Sequence, residues 1–141
     1  MGKKVQLSLI NRQTVRGGEA TVTRQSAEAE AFEKNGSLYL LYEDPPGEEG
    51  AAARNMIRLK DSVLELTKRG GVSTRMVFEP GMEYLTDYAT PYGCLKMGIL
   101  THALEAVLEE SQIHIELRYS LVSDGVPLSD CAMTIHGIFP A

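Results

Sequence analysis

The chain has 141 residues, and its 14 basic and 19 acidic side chains give a net charge of −5 with no block of one sign. That balance argues against nucleic acid or an anionic membrane as a main partner. The length suits one domain, residues 1–141, able to bury a core without disulfides or metal. No apolar run approaches membrane-spanning length and no signal peptide is visible, so a cytoplasmic location is expected.

Taken in order, Val5, Leu7 and Leu9 alternate with Gln6, Ser8 and Ile10, which predicts a first strand ending before the turn at Gly17-Gly18. Ala20 to Glu33 contains good helix formers, yet its strict alternation fits a strand better than an amphipathic helix. Asn35-Gly36 is a strong two-residue hairpin signal leading into Leu38 to Tyr42, and this turn reading outweighs the glycosylation sequon that the same residues form with Ser37. Asp44 to Ala53 has no periodicity and reads as the longest loop.

Asn55 to Lys60, Val63 to Lys68 and Val72 to Phe78 read as a meander joined by turns at Asp61-Ser62 and Gly70-Gly71. Pro80-Gly81 then turns the chain into Met82 to Thr101, which alternates, breaks at Thr90-Pro91-Tyr92-Gly93, and alternates again. Pro sets φ and Gly frees the backbone there, so this tetrapeptide is expected to be a structural corner around which the other strands are built. Leu100 to Leu108 satisfies both a helical stripe and a strand with a bulge, and the strand is preferred. Ile113 to Leu121 alternates most cleanly, and Asp124-Gly125 leads into a last strand where Cys131, Met133, Ile135 and Phe139 share a face. About eight to ten strands and no convincing helix predict an all-β protein. An up-and-down antiparallel barrel is preferred over a β-sandwich because closure removes exposed edges.

The run Tyr88 to Thr101, with its TPYG corner and spaced Leu95, Met97, Ile99 and Thr101, resembles the YwiB-like family of small bacterial proteins, a domain of unknown function. Leu38 to Tyr42, the Gly70 turn, Phe78 with Gly81, and the ending Met133-Thr134-Ile135 extend the resemblance from about Val5 to Ile138. The chain departs from the family pattern at Lys68, where Arg is frequent. What the resemblance implies is a calycin-like barrel, related in architecture to lipocalins and streptavidin, in a cytoplasmic bacterial protein. It implies no activity.

A barrel of this size can hold one small ligand. Inward apolar faces would collect Met76, Met82, Met97 and Met133 with Phe78, Tyr84, Tyr88 and Tyr119, a mixture of adaptable thioethers and polar-tipped rings suited to a small amphipathic molecule. The same residue types also build solid cores, in which case the outer face would serve a protein partner or self-association, with the small Ala27, Ala29 and Ala31 allowing close approach. His114 and His136 fall on one outer face near Glu116 but lack a third ligand, so no metal is expected, and His102 stands alone. Glu83 and Asp87 share a face that reads as solvated. No nucleophile elbow, phosphate loop or dinucleotide fingerprint occurs, and the expectation is a non-enzymatic protein with no cofactor. Cys94 and Cys131 read as reduced thiols.

Overall fold

The computed structural model describes residues 2–43, 53–69, 74–90 and 93–140, except for the side chains at 88–90 and 93–95. Its strands are β1 Lys3–Val15, β2 Ala20–Lys34, β3 Ser37–Glu43, β4 Arg54–Lys60, β5 Val63–Arg69, β6 Thr74–Phe78, β7 Glu83–Thr90, β8 Gly93–Leu108, β9 Gln112–Ser123 and β10 Val126–Ile138. They form one antiparallel sheet in the order β6-β5-β4-β3-β2-β1-β10-β9-β8-β7. Each strand pairs with its sequence neighbour except at β6 and β7, and β1 pairs with β10. One continuous sheet rules out the sandwich. It curls until β6 lies against β7 and β8, giving a nearly closed calycin-like barrel with no helix among the described residues.

Closure at that seam is not made by a strand ladder. The Tyr84 hydroxyl donates to Glu79 Oε1 at 2.7 Å, and the Thr86 hydroxyl donates to the Arg75 carbonyl across to β6. Side chains thus satisfy part of what a backbone ladder satisfies elsewhere. The two strands that flank the TPYG segment, β7 and β8, pair with each other as expected. Thr90 pairs with Gly93 in the β7–β8 hairpin, which sits at one end of the sheet order, while Pro91 and Tyr92 lie outside the described residues. The expected loop at 44–52 and the turn at Gly70-Gly71 also lie outside them.

Tight turns set the register. Asn35 and Gly36 have φ of 53° and 78°, and Asp124 and Gly125 have 50° and 78°. Consecutive left-handed residues are what the favoured two-residue hairpin requires, and Asn, Asp and Gly accept them. The stretch that satisfied both patterns is strand throughout: β8 reaches Leu108, with a register shift between Thr101 and Ala103.

Alternation then fills the barrel in rows. Ala31, Leu40, Ile57, Leu66 and Met76 are successive cross-strand partners, as are Leu38, Leu59, Leu64 and Phe78. Val5, Leu40, Leu64, Phe78, Ile99, Ile115 and Ile135 are fully buried, each worth about 1.5–3 kcal/mol relative to exposure. Ala29 and Ala31 of β2 belong to this interior, since both are buried in the core, while Ala27 is half-buried. Gly137 serves the same close packing, because a Cβ there would stand 2.9 Å from Val5 Cγ2 and 3.2 Å from Leu7 Cδ2.

Candidate functional site: an interior cleft

The two ends of the barrel interior are filled differently because the inward phase of several strands passes from apolar to polar residues. On β1 it runs Val5, Leu7, Leu9, then Asn11. On β4 it runs Leu59, Ile57, then Asn55, and on β5 Leu64, Leu66, then Lys68. Where the residues turn polar, an interior cleft of about 400 Å³ opens. Leu9, Ile57, Leu66, Met76 and Met133 make its apolar floor, while Asn11, Gln25, Tyr42, Asn55, Lys68 and Thr74 make its polar wall. Gln25, Tyr42, Asn55 and Lys68 already hold polar or electrostatic contacts of their own, so much of the wall is tied in place before any ligand arrives.

Asn11 is different. Tyr119, buried behind it, interacts through its hydroxyl with the Cys131 thiol and with the Asn11 side chain. Asn11 Oδ1 is buried and has no hydrogen-bond partner among the described residues. A buried acceptor without a donor costs free energy that a ligand N–H or O–H would recover. Burial raises both titrating neighbours: the Tyr119 phenol is held well above its ordinary range, and the Cys131 thiol is pushed up. The pair is therefore a neutral hydrogen-bonding unit.

Beside the cleft the wall of the barrel splits. The ladder between β2 and β3 ends at Glu30 and Leu41; beyond it β2 follows β1 while β3 follows β4. Where they part lies a larger hollow of about 860 Å³, lined by Ala29, Tyr42 and Asn55 together with Lys4, Glu30, Leu41, Arg54 and Arg69. Tyr42 and Asn55 line both spaces. The small Ala29 leaves room at the junction.

The structure divides the eight residues expected to line a ligand site. Met76 and Met133 line the cleft. Phe78 and Tyr119 lie in the solid core, edge to face with centroids 4.8 Å apart. Tyr84 is half-buried at the seam with its hydroxyl on Glu79, and Met97, half-buried, stands opposite Thr86 on the neighbouring strand. Met82 corrects the expectation outright: it is 47% exposed, because it follows the Pro80-Gly81 turn and lies at the mouth of the seam. The Tyr88 side chain lies outside the described residues. Residue-type reasoning missed Asn11, Gln25, Asn55 and Lys68, although each continues the inward phase of an apolar alternation, which was the available signal.

His114 and His136 are direct partners on β9 and β10, with ring centroids 5.7 Å apart and His114 Nε2 3.2 Å from Glu116 Oε1. Among the described residues, no three His, Cys, Asp or Glu side chains gather as a metal would require. Glu83 and Asp87 are exposed.

The geometry can be set beside known proteins. The crystal structure of ywiB protein from Bacillus subtilis matches at a TM-score of 0.86 with 17% sequence identity, covering 99% of this chain and 94% of that one. At that identity the likeness shows the fold alone. No curated protein matches the sequence. The model of a domain of unknown function, DUF1934, matches residues 7–135. With nearly its whole length so matched, the chain belongs to the DUF1934 family.

Proposed function

We propose that this protein binds a small amphipathic molecule in the interior cleft, in the cytoplasm and without transforming it. The buried Oδ1 of Asn11, without a partner among the described residues, carries the reading. It stands where the apolar floor gives way to the polar wall, so a ligand would lay its apolar body on Leu66, Met76 and Met133 and donate a hydroxyl or amide proton to Asn11. The cleft volume of about 400 Å³ suits a small ligand, and methionine floors adapt to irregular shapes. Binding without catalysis is supported by the lining chemistry: its described side chains are amides, hydroxyls, apolar groups and one lysine, with no carboxylate or imidazole to move a proton. The buried free thiol of Cys131 suits a reducing compartment.

Native mass spectrometry of the protein purified from its own cells tests the proposal, with a denaturing spectrum of the same sample as reference. A mass excess of small-molecule size that disappears on denaturation is expected. In Asn11→Leu, which removes the acceptor, retention should fall about tenfold or more. A bare chain in both spectra, or equal retention by the variant, counts against it.

A further inference from the structure

The sheet has register shifts at two places, between Thr101 and Ala103 on β8 and between Pro127 and Ser129 on β10. Both adjoin the same short stretch of β9, which lies between those strands. Thr101 faces inward opposite Tyr119, and Ala103 faces outward opposite Arg118, so the extra residue His102 is turned to the outer face. Bulges re-aim side chains in this way. His102 Nε2 comes to 2.7 Å from Ser120 Oγ, and on the other side Ser120 donates to Asp130 Oδ1 at 2.7 Å. Ser120 has one proton and gives it to Asp130, so His102 Nε2 carries hydrogen and is the donor to Ser120. Ser120 itself is only 3% exposed.

This relay forms one flank of an outer-face pocket of about 360 Å³ lined by Arg12, Thr14, His102, Arg118, Asp130 and Ala132. Arg12, Ala132 and Arg118 are successive cross-strand partners on β1, β10 and β9. The two guanidinium groups therefore rise on either side of a methyl group, from backbones about 10 Å apart. No described residue forms an ion pair or hydrogen bond with either of them. The nearby carboxylates are engaged elsewhere: Asp130 holds Arg16 at 3.8 Å as well as Ser120, and Glu116, two positions before Arg118, lies 3.2 Å from His114. In a chain of net charge −5, two arginines without partners among the described residues flank a small residue.

We propose that this pocket binds the phosphate group of a small phosphomonoester. A carboxylate offers two oxygens and is filled by one bidentate arginine, whereas a phosphate has acceptors enough for a fork from each side. Ala132 leaves the space between them, and the Ser120 relay holds the His102 ring at the edge. The site shares no lining residue with the interior cleft, so it stands or falls separately from the amphipathic ligand.

Backbone amide NMR of the full chain, titrated with phenyl phosphate, inorganic phosphate and acetate in turn, tests this. Saturable shifts centred on Ala132 and its neighbours are expected with both phosphates and not with acetate. Arg12→Gln and Arg118→Gln, both at exposed positions, should each weaken phosphate binding by about tenfold or more. Arg12→Lys, which keeps the charge but loses the fork, should weaken it less. Equal binding of acetate, unchanged affinity in both glutamine variants, or no saturable shift with any phosphate would overturn the proposal. Inorganic phosphate matching phenyl phosphate would place recognition in the anion alone, as proposed, whereas binding of phenyl phosphate only would overturn it in favour of ring recognition.

Discussion

Two levels of the same barrel interior, separated by only a few residues along each strand, are built on different terms. At the level of Phe78, Leu40, Leu64 and Ile99, side chains meet with 0% exposure, and Phe78 packs edge to face on Tyr119. At the level of Asn55 and Lys68, the same strands line an open cleft with amides, hydroxyls and a cation. The first level provides most of the apolar burial that holds the fold. The second forgoes burial for a polar wall, which is what a site does when stability is exchanged for recognition.

The largest expected break of this contrast is Phe78→Ala, which empties the packed level and should cost about 3–5 kcal/mol in denaturant unfolding. A loss below about 1 kcal/mol would mean that this level is not the packed one.

Alkali tests the boundary between the levels, where Tyr119 and Cys131 meet. Both groups have folded pKa values raised by burial above their ordinary 10.0 and 9.0. A raised value means that the folded state holds its proton more tightly, so the associated stability is complete below the ordinary value and is lost as pH rises through the window above it. Stability should be flat to about pH 8, then fall by up to about 1.4 kcal/mol per pH unit for each group that ionises in the unfolded chain alone. Tyr119→Phe should flatten the part of the fall above pH 10, as measured by urea midpoints across pH. An unchanged slope would contradict the buried phenol.

The smallest stability effect belongs to the cleft. Met133→Phe adds bulk where space already exists and should change stability by less than about 1.5 kcal/mol while removing the co-purified mass. A large destabilisation would mean that the cleft is tightly packed after all.

Much of the barrel was legible in the residues because period-two alternation and positive-φ turns are local properties. Val5, Leu7 and Leu9 declare an inward face without help from any neighbour, and Asn35-Gly36 declares a hairpin. The candidate site was far less legible. Residue type alone points to Met82 and Phe78 as ligand-lining, yet Met82 is exposed and Phe78 lies in the core, because residue type says nothing about height along the barrel. Lys68 and Asn55 carried the inward phase but not the apolar character that was being followed. A bulge was legible within Leu100 to Leu108, but its exact position was not, so His102 could not be placed beside Ser120 from alternation alone.

The sequence by itself determined an all-β chain, most of its turns and the inward face of most strands, since each follows from local sterics and hydrophobic spacing. Tertiary structure alone decided that β1 pairs with β10, that closure falls between β6 and β7, and that β2 and β3 part at Ala29 and Tyr42. It also decided that Asn11, Met76 and Met133 meet in one cleft, and that Arg12 and Arg118 stand on either side of Ala132. These depend on register and curvature, which arise from the sum of all the pairings and are encoded at no single position.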